Sequence, residues 1–194
     1  MVLKSTQKKC DLENTTMEFY SLNIKGYKAD LPILPLPSGI KIAFFNLHGN
    51  TKMTEHCGKE LAKLVADCDV LITAESKGLQ LTHVIARELG HDYYAVARKS
   101  QKLYMQDGLD VVINSSITTG KEQHLYLSKF DADLLKGKKV GIIDDVVSTG
   151  NSLVGLEDIV KLAGGIIHKK AFVLAEGDAS KRDDIIFLDV IPLL

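Results

Sequence analysis

The residues best suited to chemistry lie in one stretch, where an apolar run ends in two adjacent carboxylates. Val140–Ile143 is followed by Asp144 and Asp145, and after two more apolar residues a small, hydroxyl-rich turn covers Ser148–Ser152. Aspartates can accept hydrogen bonds from the neighbouring hydroxyls of a sugar. Backbone N–H groups and hydroxyls at the start of a helix can bind a phosphate. The stretch therefore indicates a site for a ligand that carries both a polyol and an anion.

Two plainer interpretations compete with that site. A buried strand that ends in a solvated Asp pair, followed by a Ser/Thr/Gly helix cap, explains an Asp-Asp pair by itself. The second is the Walker B strand of a nucleoside triphosphatase, which needs a Gly-x-x-x-x-Gly-Lys-Ser/Thr loop. The nearest candidate for that loop, Gly120-Lys121-Glu122, lacks the hydroxyl and the spacing. The whole pattern from Val140 to Ser152 is more specific than either interpretation explains.

Short apolar runs alternate with amphipathic segments over most of the chain. The apolar runs, which predict strands, are Val70–Thr73, Tyr93–Ala97, Val140–Ile143 and Ala171–Leu174. Helical spacing of apolar residues predicts helices from an Asn50 or Thr51 cap to Cys68, from Leu81 to Leu89 before Gly90, and from Leu153 to Ala163 before Gly164. Apolar strands separated by amphipathic helices predict an α/β fold with a doubly wound parallel sheet.

Two parts of the chain depart from that alternation. Residues 1–49 contain short apolar runs between Glu18 and Leu47 that are broken by turns, so they predict a strand-rich amino-terminal hood. Leu109–Ser115 and Gln123–Leu127 have no helix between them and predict an antiparallel excursion. We therefore expect a single domain that consists of the hood and a core of residues 50–194.

Composition excludes several classes of function. Twenty-four Lys and Arg against twenty-five Asp and Glu give a net charge of −1, so we expect no nucleic-acid and no membrane partner. Cys10, Cys57 and Cys68 are too scattered for disulfides or zinc, and we expect Cys57 and Cys68 to be buried on one helix. The histidines lack metal-ligand spacing. No apolar run reaches the ~18 residues of a membrane span, and we expect a soluble, cytoplasmic protein.

The stretch from Val140 to Ser152 resembles the signature of the type I phosphoribosyltransferases, which is an apolar strand, two acids, two apolar residues and a Thr-Gly turn. The resemblance implies that Asp144 and Asp145 bind the ribose hydroxyls of 5-phosphoribosyl 1-diphosphate. It also implies that the turn binds the 5-phosphate, through Val146, Val147, Ser148, Thr149, Gly150, Asn151 and Ser152. The resemblance covers nearly all of the chain after Asn50.

Two further segments resemble the family elements that hold the diphosphate. One is a short loop after the first core strand, often with a cis peptide, and here it is Glu75, Ser76, Lys77 and Gly78. The other is the root of a mobile loop that closes over the site in purine enzymes, and here its basic residues are Arg98, Lys99 and Lys102. Cations there would neutralise the departing diphosphate, and closure would exclude water. The resemblance implies that Lys77 and Arg98 are catalytic, together with the Asp pair.

Three positions bear on which base is accepted. Ser148 stands where hypoxanthine and guanine enzymes usually carry an Asp, which favours the adenine and xanthine branch. Thr118 stands where adenine enzymes carry a Glu that is a proposed proton handler, and this argues against adenine. Glu176 falls where xanthine enzymes present a Lys. A carboxylate there suits the exocyclic amine of adenine, although a solvated Glu at a strand end explains it equally well.

Aromatic residues of the hood are candidates for stacking on a purine, although aromatic residues in short strands are more often part of the core. We expect Tyr27 and Phe45 to contact the base, and Tyr20 and Phe44 are further candidates.

The resemblance implies an enzyme, a homodimeric purine phosphoribosyltransferase of nucleotide salvage that releases diphosphate and prefers adenine. Its Mg²⁺ is expected to arrive on phosphoribosyl diphosphate, with no ligand directly from the protein. A xanthine or orotate enzyme with the same sugar site is an alternative. So is a regulator of the same fold that senses phosphoribosyl diphosphate and binds DNA, which would need a basic helical element that the strand-rich first fifty residues do not supply.

Overall fold

The computed structural model describes residues 17–113 and 123–194, and a five-stranded sheet lies at its centre. The elements in chain order are β1 (Phe19–Ile24), β2 (Tyr27–Pro35), β3 (Lys41–Ala43), α1 (Thr51–Leu64), β4 (Val70–Ala74), α2 (Leu79–Leu89), β5 (Ala95–Ala97), β6 (Leu109–Ile113), β7 (Gln123–Leu127), α3 (Lys129–Leu135), β8 (Lys139–Val147), α4 (Asn151–Leu162), β9 (Ile166–Glu176) and β10 (Ile186–Ile191). Short 3-10 turns cover Leu103–Met105 and Gly177–Lys181.

The strands of the central sheet run parallel in the order β10-β9-β8-β4-β5. Every residue of β4 is buried, as expected for a parallel strand that is covered on both faces. The hood, α1 and α2 cover one face, where Leu71 and Ile143 point. The other face, where Ile72 and Ile142 point, is covered by α3, α4 and the β6–β7 hairpin.

The order of the strands also fixes where a ligand can enter. From β4 the chain moves outward to β5, and it later returns on the other side of β4 as β8. The direction of winding therefore reverses between β4 and β8. Open α/β sheets bind ligands at the carboxyl ends of the strands beside such a switch point.

Short-range signals set the helix ends. Asn50 caps α1, since its side chain accepts a hydrogen bond of 3.1 Å from the Met53 N–H. Gly90 ends α2 in the left-handed conformation, with φ 72°. Ser128 caps α3 by accepting a hydrogen bond of 3.1 Å from the Asp131 N–H.

The hood is the antiparallel sheet β1-β2-β3. Its buried residues, among them Ile24 and Leu31, belong to the same hydrophobic cluster as those of α1 and α2. Backbone hydrogen bonds of 3.0 and 3.1 Å join Lys41 to Leu194, beyond β10. The hood is thus attached to the core on two sides. The boundary between residues 49 and 50 stays a prediction.

The α/β class with a parallel sheet and a strand-rich amino-terminal region is confirmed, and the antiparallel excursion is the β6–β7 hairpin. Residues 114 and 115 of its first predicted strand lie outside the described residues, as does Cys10. In the described part of the chain, no helix has the length and apolar character needed to cross a membrane.

Several element limits differ from those predicted. The helix from Thr51 ends at Leu64, so Cys68 lies beyond it, although Cys57 and Cys68 are both buried as expected. β8 and β9 are longer than their apolar runs, and β5 begins only at Ala95. The apolar patterns of the sequence do not predict α3 or β10. α3 has seven residues and only one of them, Leu135, is buried, so its periodicity is weak.

Replacing Gly58 in α1 tests how closely the two helices on the hood side pack. A Cβ at Gly58 would lie 2.4 Å from Val84 Cγ1 in α2. Helix propensity alone predicts that Gly58→Ala stabilises the protein by about 1 kcal/mol, whereas overpacking costs about 1–3 kcal/mol. We expect a net loss in the free energy of unfolding, measured by urea denaturation.

The neighbouring exposed Lys59 provides the control, and Lys59→Ala should change stability by less than about 0.5 kcal/mol. A Gly58→Ala protein that is more stable than the parent would contradict the close approach of α1 and α2.

Candidate active site

Asp144 and Asp145 lie near the carboxyl end of β8, the middle strand of the sheet. Asp145 is 5% exposed, and its N–H donates to Asp144 Oδ1 over 2.9 Å. Asp145 Oδ2 is buried and has no hydrogen-bond partner among the described residues, although Lys77 Nζ lies 3.8 Å away. A buried acceptor without a donor is costly, so a hydroxyl donor from a ligand would be stabilised here.

The Asp pair is held partly in its protonated form by its surroundings. Burial, followed by the negative charge of Asp145, raises the pKa of Asp144 to about 7. Burial also raises the pKa of Asp145, and the Lys77 ammonium opposes that rise. Without a ligand, the protein therefore carries a carboxylate pair whose full ionisation is unfavourable at neutral pH.

The turn between β8 and α4 encloses a cavity of about 150 Å³. Its wall is formed by residues 146–153 with Asp144, Leu156 and Phe172. Gly150, with φ 82°, precedes the first residue of α4. The first N–H groups of a helix lack intrahelical acceptors and carry the positive end of its dipole. The hydroxyl residues predicted for the phosphate therefore line a cavity at a helix N-terminus, which suits an anion.

The loop Glu75–Gly78 connects β4 to α2 and contains a cis peptide between Glu75 and Ser76. Gly78 packs against the Asp pair, because a Cβ there would lie 2.1 Å from Thr73 Oγ1 and 3.0 Å from Asp144 Oδ1. Lys77 Nζ lies 5.6 Å from the centre of the Phe44 ring in the hood. The loop thus brings one cation between the hood and the two carboxylates.

Glu75 connects this loop to the end of β5. Its carboxylate accepts a hydrogen bond of 2.7 Å from the Lys99 N–H and lies 2.6 Å from Arg98 Nε. Its own N–H donates to the Ala97 carbonyl over 2.9 Å. These contacts hold the Arg98 side chain and the Lys99 backbone next to the loop Glu75–Gly78.

The basic segment after β5 is attached to the β6–β7 hairpin. Arg98 and Tyr126 exchange two backbone hydrogen bonds of 2.8 Å, and Lys102 Nζ donates to Ser100 Oγ over 2.8 Å. A cavity of about 450 Å³ lies between residues 99–101 and the hairpin, and Ala74 and Ser152 complete its wall. The basic segment and the phosphate turn therefore border one space.

A further cavity, of about 380 Å³, lies beyond Ser148 and Thr149. Glu176, at the carboxyl end of β9, and Arg182 line it. The structure thus brings together Ser148 and Glu176, two of the residues that bear on the base. Thr118 is the third, and it lies outside the described residues.

Comparison with known proteins decides the family. The family model described as the phosphoribosyl transferase domain matches residues 46–191. That range contains the Asp pair, the turn, the Glu75–Gly78 loop and the basic segment. The chain belongs to the type I phosphoribosyltransferase family.

Curated relatives of this phosphoribosyltransferase include xanthine phosphoribosyltransferases. The protein from Exiguobacterium sp. (strain ATCC BAA-1283 / AT1b) is 29% identical over 148 residues, which cover 72% of this chain and 75% of that protein. The protein from Bacillus cereus (strain B4264) is 32% identical over 138 residues, 67% of this chain and 68% of that protein.

Solved structures of similar fold include adenine phosphoribosyltransferases. That from Thermoanaerobacter pseudethanolicus has a TM-score of 0.67 at 24% identity, and covers 82% of this chain and 95% of its own. That from Giardia lamblia, complexed with 9-deazaadenine, has a TM-score of 0.66 at 19% identity, and covers 82% and 93%. At these identities the likeness confirms the fold.

Neither of the two hood aromatics expected to contact the base, Tyr27 and Phe45, lines the cavity that contains Ser148 and Glu176, and their contact with a base stays a prediction. Phe45 is 3% exposed and lies in the core cluster with α1 and α2. The Tyr27 ring packs 5.5 Å from the ring of His56 in α1. Phe44 is instead the aromatic beside Lys77. Neighbouring residues of an extended chain point to opposite sides, so only one of Phe44 and Phe45 can face the site.

Sequence reasoning missed Arg182 altogether. It lies in a polar stretch after Glu176, where no spacing or motif marks it. Its place in the cavity follows from the 3-10 turn Gly177–Lys181, which carries the chain around the end of β9.

Removing one charge of the Asp pair should stabilise the protein in the absence of ligand. The raised pKa of Asp144 means that the folded protein binds a proton more tightly than the unfolded chain. The contribution that protonated Asp144 makes to the free energy of unfolding is therefore lost as pH rises from about 4 to about 7. We expect Asp144→Asn to raise the free energy of unfolding by about 1–3 kcal/mol at pH 7.5, and by little near pH 4.5.

Urea denaturation at both pH values checks this expectation. Asp92→Asn, at an exposed aspartate, is the control and should show no such pH-dependent gain. An Asp144→Asn protein that is less stable than the parent at pH 7.5 would mean that the carboxylate pair is well compensated without a ligand.

Proposed function

We propose that this protein transfers the 5-phosphoribosyl group from phosphoribosyl diphosphate to a purine base and releases diphosphate. The observation that carries the proposal is the buried Asp145 oxygen that receives no hydrogen bond from the described residues, on the strand that leads into the turn and its cavity of about 150 Å³ at the start of α4. A ribose 5-phosphate offers both hydroxyls and an anion. The family membership of the chain supports the same reaction.

Each group of residues has a part in that reaction. Asp144 and Asp145 would accept hydrogen bonds from the ribose hydroxyls, and residues 146–152 would hold the 5-phosphate. The bond from C1 of the ribose to the diphosphate oxygen breaks as a base nitrogen bonds to C1, and the proton lost from the base passes to the departing diphosphate or to water. Lys77, Arg98, Lys99 and Lys102 would neutralise the negative charge that leaves with the diphosphate.

Magnesium fits this scheme as an ion carried by the substrate. Among the described residues no group of three or more His, Cys, Asp or Glu side chains is placed to hold a metal. Hard cations prefer oxygen ligands and bind readily to phosphates. When bound on the diphosphate and ribose oxygens, the ion would add positive charge at the leaving group.

Adenine and xanthine are the two candidates for the base. Ser148 is compatible with both, and the Glu176 carboxylate favours adenine because it can accept from an exocyclic amine. Xanthine is favoured by the curated relatives, which are 29–32% identical and are named for it. A homodimer and a cytoplasmic location stay predictions.

An assay of diphosphate release with each of adenine, xanthine, hypoxanthine, guanine and orotate tests the function. We expect release with at least one purine and none with orotate. The matched variant Asp144→Asn with Asp145→Asn keeps the shape of both side chains. It should lose about 100-fold or more in kcat/KM, because each charged hydrogen bond contributes about 1.5–3 kcal/mol.

Tight binding of phosphoribosyl diphosphate without release in the presence of any base would contradict the enzyme and support a regulator of the same fold.

Lys77→Gln should weaken the binding of ligands that carry a diphosphate more than the binding of ligands that do not. We expect the affinities for phosphoribosyl diphosphate and for free diphosphate to fall about tenfold, because a charged contact is lost. The affinity for the nucleoside monophosphate product, which has no diphosphate, should change much less.

Calorimetric titration with the three ligands measures these effects. Lys138→Gln removes the same charge from an exposed residue at the opposite end of the sheet and should leave all three affinities unchanged. An equal loss for the monophosphate product would exclude the role assigned to Lys77.

A further inference from the structure

The wall of the cavity beside Glu176 contains a positively charged side chain, that of Arg182, which has no part in the reaction proposed for this site. Arg182 lines this cavity of about 380 Å³ together with Ser148, Thr149 and Glu176. It is absent from the wall of the smaller cavity inside the turn, where the phosphate is expected. Arg182 therefore lies on the Glu176 side of the turn.

The Arg182 guanidinium is held in a fixed orientation. Its Nε and Nη2 donate to the two carboxylate oxygens of Asp184 over 2.8 and 2.7 Å. Asp184 also contacts Lys170 Nζ, and Lys170, whose side chain is 14% exposed, donates to Glu157 of α4 over 2.8 Å. A bidentate Arg–carboxylate pair within a charge network is more rigid than a single surface ion pair.

The bidentate ion pair with Asp184 leaves Nη1 of Arg182 available to a ligand. Nη1 makes no hydrogen bond to the described residues. It lies against Gly150, where a Cβ would come within 3.0 Å of it. The absence of a side chain at Gly150 therefore makes room for this edge of the guanidinium beside the turn.

Because of the negative charge of Glu176, a base with a carbonyl oxygen needs a positive charge such as that of Arg182 in this cavity. Its carboxylate has no hydrogen bond or ion pair within the described residues. A base that places a carbonyl oxygen near this carboxylate is repelled unless a donor offsets the negative charge. Adenine has no carbonyl and can donate its exocyclic amine to Glu176 without further help.

We propose that Arg182 selects the base. Its Nη1 donates to a carbonyl oxygen of an oxopurine, while Glu176 accepts from the ring N–H next to that carbonyl. Arg182 is then required for oxopurines and dispensable for adenine. The proposal rests on the proposed function, since it assumes that a purine occupies this cavity.

The test compares Arg182→Gln with the parent protein. We measure kcat/KM for xanthine, guanine, hypoxanthine and adenine, and the Kd for phosphoribosyl diphosphate by calorimetry. We expect kcat/KM for the oxopurines to fall about tenfold or more relative to adenine, as for loss of a charged hydrogen bond. The affinity for phosphoribosyl diphosphate should change less than about threefold, well below that tenfold step.

Two controls accompany the variant. Lys181→Gln removes a neighbouring positive charge whose side chain is 78% exposed, and it should leave the ratio of oxopurine to adenine turnover unchanged. If Arg182→Gln does not fold, Arg182→Lys, which keeps the charge but loses the fork to Asp184, should lower the same ratio. Thermal melts establish that each variant is folded.

Three results would overturn the proposal. One is an unchanged ratio of oxopurine to adenine turnover, and another is a parent enzyme that accepts adenine and no oxopurine. The third is a parallel loss of affinity for phosphoribosyl diphosphate, which would assign Arg182 to the phosphate. A parent protein that is inactive with every purine would instead refute the proposed function itself.

Discussion

The arrangement of the site depends on the burial of the Asp144–Asp145 pair near the end of the middle strand. Removing a carboxylate from water costs several kcal/mol even after relaxation. Lys77 offsets only part of that cost, because it lies 3.8 Å from Asp145 and its side chain is 46% exposed. The pair is therefore better explained by a ligand that supplies hydroxyl donors than by a contribution to the stability of the free protein.

The loop after β4 is built around that pair. Gly78 comes so close to Thr73 and Asp144 that a Cβ at this position would lie 2.1 Å from Thr73 Oγ1 and 3.0 Å from Asp144 Oδ1. The same loop places Lys77 Nζ 3.8 Å from Asp145 Oδ2. Glu75 places a negative charge in a region expected to bind diphosphate. Its contacts explain this, because the carboxylate is engaged by Arg98 and by the Lys99 N–H. One acid thus fixes two basic residues at the end of β5.

The cavity beside Glu176 is bounded by parts of the chain that are far apart in sequence. Leu193 lines it, and the backbone of Leu193 forms an antiparallel bridge to Ile42 of β3. The hood and the residues after β10 are therefore connected at the wall of this cavity.

The sequence by itself determined the fold class, and it identified the contiguous stretch from Asp144 to Ser152 that is expected to bind sugar and phosphate. Those features depend on local patterns, since apolar strands and amphipathic helices differ in period, and the turn from Asp144 to Ser152 is contiguous. The sequence did not show which of Phe44 and Phe45 faces the site, nor that Glu75 would engage Arg98, nor that Arg182 would lie beside Glu176. Only the tertiary structure decided these, because each depends on the register and packing of segments that are distant along the chain.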